Sequence, residues 1–172
     1  MKRIVLPLIL SLCYIAESLF AQFFAARSFG GKFTIVPHFL LVMLILMGMH
    51  YRKRLSIIYA FVFGMLFDAF YTGILGVYLF FYPLAVYLTE KMDRILQSNI
   101  FTGTLVAVLN MAIVEFLVYG INALINPQVM GFDDFLLLRL WPTLILNAAF
   151  FILAWYPMGN FLKRRAREEE KE

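Results

Sequence analysis

The sequence has very few of the residues from which catalytic and metal sites are built. Among 172 residues it contains one cysteine, Cys13, and two histidines, His38 and His50. A lone cysteine cannot form an intramolecular disulfide, and neither histidine has a second ligand at metal-binding spacing. The signatures of phosphate-binding loops, serine hydrolases and zinc peptidases are missing as well. We therefore expect no catalytic residues, no metal and no cofactor, and we interpret both histidines as interfacial packing residues.

Charged residues are also scarce. They make up 15% of the chain, whereas hydrophobic residues make up 63% and 19 residues are phenylalanine. Soluble domains contain about 25% charged residues, and a soluble chain of this length could not bury so much apolar surface. The net charge of +4 lies in short clusters between apolar segments and not on one face. We therefore expect a membrane protein, and no nucleic acid partner.

Six apolar segments are long enough to be considered as membrane-spanning helices. A spanning helix needs about 20 residues to cross roughly 30 Å of hydrocarbon. The pattern predicts an all-α bundle of six transmembrane helices, with residues 1–162 forming one domain and residues 163–172 a charged tail. The second and fourth segments are short, so they either include flanking residues, lie where the bilayer is thin, or are partly re-entrant behind other helices. The six predicted spans are residues 4–24, 35–49, 55–71, 74–88, 101–123 and 136–162.

The distribution of basic residues predicts the orientation. Twelve Lys and Arg residues fall on the side that holds both termini, and three fall on the opposite side. Basic residues concentrate in cytoplasmic loops of membrane proteins. We therefore expect both termini to lie in the cytoplasm.

Three acidic residues fall inside predicted spans, namely Glu17, Asp68 and Glu115. An ionised side chain at mid-bilayer costs about 2.5–3.5 kcal/mol on insertion scales, so each needs a partner, water or a proton. All three lie roughly 20 Å from the predicted cytoplasmic edge, counted at 1.5 Å per residue. One hypothesis is an acidic layer that faces the bundle interior or an outward-opening cavity. The alternative is that each acid is hydrated separately near the outer headgroups.

Two stripes of small or polar residues indicate helix-packing faces. On the third span, Ala60, Gly64 and Asp68 recur every four residues, and Gly73 and Gly76 then permit a tight turn into the fourth span. On the first span the stripe predicts a protein-facing side, although a substrate path would have a similar pattern. Its members are Ser11, Tyr14, Ser18, Ala21, Gln22 and Ala25.

The third and fourth spans resemble the MreD family of rod shape-determining membrane proteins. The matching stretch is Phe-Gly-Met-Leu-Phe-Asp at residues 63–68, followed by Gly-Ile-Leu-Gly at residues 73–76. Upstream, Pro37 and His38 are similar to the Pro-Asp pair that begins the family's second span, with His38 in place of the acid. The resemblance implies that Pro37, Gly64, Asp68, Gly73 and Gly76 are motif residues with a structural role.

This resemblance also implies a function and a set of partners. It implies a scaffold of the cell-elongation machinery in the bacterial cytoplasmic membrane, with no enzymatic activity and with a fold similar to the substrate-binding subunits of energy-coupling-factor transporters. The implied partner is the bitopic protein MreC and, directly or through it, the RodA glycosyltransferase, a class B penicillin-binding transpeptidase and the MreB cytoskeleton. Homodimerisation and a bound membrane lipid remain open.

Two other functions are compatible with the sequence. One is the substrate-binding subunit of an energy-coupling-factor vitamin transporter, since Ala21 and Ala25 form the kind of small-residue pair that such subunits use for docking. The other is a proton-coupled carrier that uses Glu17, Asp68 and Glu115. The short predicted turn between the third and fourth spans argues against the lid that a vitamin-binding subunit needs.

Overall fold

The chain folds as a helical bundle. The computed structural model describes residues 4–24, 33–72, 76–96, 99–126 and 130–169, and over these residues it contains no β-strand. Helices α1, α3, α5 and α6 are long and apolar enough to cross a membrane. The π-helical turn Asp68–Thr72 continues α3, and α6 contains the π-helical segment Phe135–Leu140. The helices are α1 Val5–Phe24, α2 Phe39–His50, α3 Lys53–Phe67, α4 Val77–Leu96, α5 Ile100–Ile125 and α6 Phe132–Glu169.

Helix α2 forms the centre of the bundle. Ten of its 12 residues are buried, and it contacts each of the other five helices. Its sequence is apolar on every side, as expected for a helix that protein surrounds. Twelve residues extend only about 18 Å. Three explanations were considered for the short second segment. The structure favours the third, because α2 is buried behind other helices.

The chain approaches α2 in an extended conformation. Residues 33–38 have no regular structure, and the helix begins at Phe39 instead of the predicted residue 35. Proline cannot donate a backbone hydrogen bond and disfavours helix at the preceding residue. Pro37 thus explains why the predicted start of this span was wrong.

Helices α4 and α6 extend beyond their predicted ends. The fourth span was predicted to end at residue 88, but α4 continues to Leu96. Its extension carries Glu90, whose carboxylate lies 2.7 Å from the Lys53 ammonium. Because this extension is charged, hydropathy did not reveal it. Residues 163–169, predicted as part of a tail, are the helical end of α6.

The antiparallel helices give the bundle two chemically different ends. At the polar end, α2, α4 and α6 begin, and the three acids of the predicted layer lie near this end. Helices α2, α4 and α6 end at the basic end. There the Tyr51 hydroxyl lies 2.7 and 2.8 Å from the two Glu169 carboxylate oxygens. Partial burial and this carboxylate raise the pKa of Tyr51 above its usual range, so the phenol remains the donor.

Candidate functional site

A chain of four polar side chains crosses the interior of the bundle near the polar end. Its members are Glu17 on α1, His38 just before α2, Glu115 on α5 and Arg139 on α6. The His38 Nε2 atom lies 2.6 Å from Glu115 Oε1. The Arg139 Nε group donates to Glu115 Oε2 at 3.0 Å. On the other side of the ring, His38 Nδ1 lies 3.9 Å from Glu17 Oε1. We call these four residues the polar chain.

The polar chain is buried. His38 and Glu115 are each 1% exposed and Glu17 is 4% exposed, whereas the Arg139 side chain is 27% exposed. The Glu115 carboxylate lies between two basic side chains, His38 and Arg139. Buried charges are tolerated when they are paired in this way, and removal of one partner leaves another buried charge uncompensated. The arrangement therefore fixes four segments of the chain relative to one another.

His38 has a different role from the one predicted. We expected interfacial packing, and that interpretation was wrong because the ring is buried between two carboxylates. A weak sign of this is visible in the sequence, since a histidine directly before an apolar helix must find a polar partner if the helix is central. The His38 Nδ1 and Glu17 Oε1 atoms have no hydrogen-bond partner within the described part of the chain.

The extended segment before α2 has its backbone groups bound by α6. The Val36 N–H donates to Thr143 Oγ1 at 3.1 Å, and the His38 N–H donates to Asn147 Oδ1 at 2.7 Å. The Asn147 side-chain amide donates to the Val36 carbonyl at 3.0 Å. Non-helical backbone at membrane depth is tolerated only where protein satisfies its polar groups. Two side chains of α6 do this here.

Glu17 also caps the start of α2. Its Oε2 atom accepts from the Leu40 N–H at 3.1 Å. The first N–H groups of a helix have no partner within the helix, and the helix dipole places partial positive charge there. A carboxylate from α1 thus supplies an acceptor that the residue before the helix, His38, does not supply through its side chain.

Asp68 performs the same task for α4. It is fully buried, and its carboxylate accepts three backbone hydrogen bonds. A buried carboxylate is stable when such charge-assisted bonds replace its hydration. The Oδ2 atom accepts from Gly76 N–H at 2.8 Å and Leu79 N–H at 3.0 Å, and Oδ1 accepts from Tyr78 N–H at 2.8 Å.

The glycines of the motif serve close packing and the turn. A Cβ atom on Gly64 would lie 2.4 Å from the Tyr78 carbonyl oxygen, so only glycine allows α3 and α4 to approach this closely. Gly76 has a φ of +116°, which favours glycine. Pro37 is buried in the extended segment. Gly73 lies outside the residues that the structure describes.

The three acids of the predicted layer do not form one cluster. The polar chain joins Glu17 and Glu115 through His38. Asp68 instead binds the start of α4, in a separate set of hydrogen bonds. All three side chains are buried, which agrees with an interior position and not with separate hydration near the headgroups.

Sequence reasoning missed the contributions of α6. Arg139 was counted only as a topology signal, and neither Thr143 nor Asn147 was singled out. A signal was present, because these three residues recur every four positions on one side of an otherwise apolar helix. Among the described residues, no group of three His, Cys, Asp or Glu side chains could hold a metal ion. What the site does chemically is pair charges and satisfy backbone groups.

The predicted packing face of α1 is partly exposed. Helix α1 turns Leu6, Leu10 and Glu17 toward α2, and these residues are buried. Ser11 and Gln22 of the small and polar stripe are exposed. The stripe therefore lies mostly beside the contact face with α2, and its member Tyr14 contacts α3. Ala25, its last predicted member, falls outside the described residues.

Comparison with known proteins identifies relatives along nearly the whole chain. Residues 2–165 match the family described as rod shape-determining protein MreD. The rod shape-determining protein MreD of Bacillus subtilis (strain 168) is 37% identical over 172 residues, which cover 98% of this chain and 100% of that protein. The cell shape-determining protein MreD of Streptococcus pneumoniae (strain ATCC BAA-255 / R6) is 22% identical over 147 residues, covering 86% of this chain and 88% of that protein. No solved structure matches the chain.

Proposed function

The chain belongs to the MreD family of rod shape-determining proteins, and from this premise we propose that it is a scaffold that binds the single transmembrane helix of MreC. Through this contact it helps to position peptidoglycan synthesis and so maintains rod shape. In this proposal the chain crosses the cytoplasmic membrane six times, the second time through α2 together with the extended residues before it. The basic end and both termini lie in the cytoplasm. RodA, a class B penicillin-binding transpeptidase and MreB join the same assembly, directly or through MreC.

One surface observation carries the proposal of a helical partner. Ser11, Ser18 and Gln22 form a small and polar stripe along α1, and Ser11 and Gln22 are exposed. In lipid, small residues let two helix backbones approach closely, and hydroxyl or amide groups bond between helices. A stripe of this kind is better matched by a second helix than by acyl chains. The exposed side of α1 next to this stripe is aliphatic, as lipid requires, with Leu8, Leu12, Ile15 and Leu19.

The stripe borders a junction between α1 and α3. The Tyr14 hydroxyl donates to the Leu66 carbonyl of α3 at 3.5 Å. The Tyr14 ring also makes edge contacts with Phe67 and Tyr71. Ser11 and Ser18 lie about one helical turn on either side of Tyr14. A partner helix along the stripe would therefore contact α1 and pass the edge of α3.

The rigid interior supports a scaffold role. The polar chain and the two helix caps hold the bundle in one arrangement, and every described intramembrane carboxylate is engaged in these contacts. A fixed bundle presents the same outer surface to each partner at no ordering cost.

Disulfide cross-linking to MreC tests the proposal. In a Cys13→Ala background, Ser18→Cys should cross-link to a cysteine scanned along the MreC transmembrane helix. The matched control is Leu19→Cys, since Leu19 is the next residue and is exposed on the aliphatic face. Cross-links from position 19 but not from position 18 would refute the proposed surface.

Copurification in mild detergent tests the function itself. MreC should copurify with the full-length chain. Copurification of an ATPase module or a tightly held vitamin, without MreC, would refute the scaffold and support a transporter subunit. Reporter fusions that place the two termini on opposite sides of the membrane would refute the proposed topology.

A further inference from the structure

A groove on the outer surface of the bundle lies between α5 and α6, toward the basic end. Its volume is about 410 Å³, and its lining is entirely apolar in contact surface. Phe101 and Leu105 are exposed there. The groove is lined by Ile100, Phe101, Thr104, Leu105, Val108 and Ile152.

The groove runs along the helices toward the basic end. On α5 it extends from Val108 back to Ile100, the first residue of the helix, which is about 12 Å at 1.5 Å per residue. The two helices are antiparallel, and a Cβ atom on Gly103 would meet the Trp155 ring. Position 100 of α5 is therefore level with about position 158 of α6, and the groove ends there.

A basic recess lies beyond this end of the groove. A second depression of about 420 Å³ on α6 is lined by residues that include Lys163, Arg164, Arg167 and Glu168. The Glu168 carboxylate is paired with Arg164 at 3.2 Å. Within the described residues no ion pair is found for Lys163 or Arg167. These two cations leave the recess with excess positive charge.

The groove and the recess lie on the same side of α6. Ile152 and Lys163 are 11 residues apart, which is three helical turns plus about 20°. Lys163 thus follows Ile152 along one face at a distance of about 16 Å. Position 163 therefore lies about five residues, or about 7.5 Å, beyond the end of the groove.

We propose that this face of α5 and α6 binds one anionic phospholipid, with an acyl chain in the groove and its phosphate at Lys163 and Arg167. The lining presents no polar surface for a protein or a soluble ligand to recognise, since the Thr104 hydroxyl donates to the Ile100 carbonyl. Its apolar surface and its length of about 12 Å suit part of a hydrocarbon chain. Basic residues at the membrane surface attract anionic headgroups. The fit depends on both parts, because the recess alone would bind free phosphate and the groove alone would bind any lipid.

Native mass spectrometry of the detergent-solubilised full-length chain tests this proposal. The probes are phosphatidylglycerol and phosphatidylcholine with identical acyl chains. We expect phosphatidylglycerol to be retained in preference. The double variant Lys163→Gln/Arg167→Gln should reduce this retention roughly tenfold or more, since each Lys or Arg near the surface contributes about fivefold.

Two further variants separate the site from general charge attraction. Arg54→Gln/Lys91→Gln removes the same charge from exposed residues at the basic end outside the recess, and it should leave retention unchanged. Leu105→Trp fills the groove and should lower retention without removing charge. Equal retention of the two lipids, equal loss in both double variants, or full retention by Leu105→Trp would each overturn the proposal. MreC takes no part in the assay, so its outcome is independent of the scaffold function.

Discussion

The two ends of the bundle use charge in opposite ways. At the polar end, Glu115 is buried and its partners, His38 and Arg139, come from other segments of the chain. At the basic end, Glu90 pairs with Lys53 and Arg94, whose side chains are 50% and 79% exposed. Exposed pairs contribute about 0–1 kcal/mol, whereas breaking a buried pair costs about 3–5 kcal/mol. Ion pairs of similar length therefore determine the fold at the polar end and contribute little to its stability at the basic end.

The largest expected effect comes from the centre of the polar chain. Glu115→Gln removes the charge between His38 and Arg139 and should destabilise the bundle by about 3–5 kcal/mol. The matched variant at the basic end, Glu90→Gln, should cost at most about 1 kcal/mol. Unfolding in mixed micelles with increasing SDS measures both. If both variants lose the same free energy of unfolding, the two ends do not differ as proposed.

The cap of α4 should be next in importance. Asp68→Asn leaves one oxygen to accept three N–H groups, and the loss of charge-assisted bonds should cost about 2–3 kcal/mol. Asp134→Asn is the control, because Asp134 is an exposed acid at the same end. The same unfolding assay applies. An Asp68→Asn variant as stable as the unchanged protein would mean that the cap does not stabilise α4.

Two glycines differ in how tightly their surroundings are packed. A Cβ on Gly64 meets backbone at 2.4 Å, whereas a Cβ on Gly48, near the basic end, has its nearest contacts at 3.4 Å. Gly64→Ala should therefore destabilise by about 1–3 kcal/mol, and Gly48→Ala should be tolerated better. Thermal denaturation in detergent shows which of the two variants is less stable. A more harmful change at Gly48 would contradict the tight crossing of α3 and α4.

The smallest expected effect concerns the end of α6. Tyr51→Phe removes the hydroxyl that donates to Glu169. The end of α6 should then open more easily, at a local free-energy cost lower by about 1 kcal/mol. Hydrogen exchange of residues 160–169 should quicken, while the global stability changes little. Tyr87→Phe is the control, since its ring contacts Lys53 and Lys91 without a hydroxyl bond that the structure records. Unchanged exchange in Tyr51→Phe would show that the end of α6 is held by other contacts.

The sequence predicted helical elements well where they are long and apolar. The segments at α1, α3 and α5 were visible because lipid imposes a minimum length and excludes charge. The same rule concealed the extension of α4, whose last turns carry Glu90, Lys91, Asp93 and Arg94. Hydropathy describes the hydrocarbon layer and says nothing of a helix that continues into water.

The polar site could be predicted only in part. Glu17, Asp68 and Glu115 stood out because isolated acids are rare in apolar segments. Their partners did not, because which side chain meets which depends on helix rotation and order in the bundle. His38 and Asn147 are 109 residues apart in sequence, and no local pattern connects them. Gly64 and Asp68 were read correctly as neighbours on one face, since four-residue spacing is a local property.

Helix α6 binds the backbone of the residues just before α2. This contact affects how the protein is made. Val36 and His38 leave the ribosome more than 100 residues ahead of Thr143 and Asn147. Until the last helix arrives, those early amide groups have no permanent acceptor in the membrane. Biogenesis must therefore keep them in contact with water or the insertion machinery, and premature termination anywhere before α6 should send the nascent chain to proteolysis.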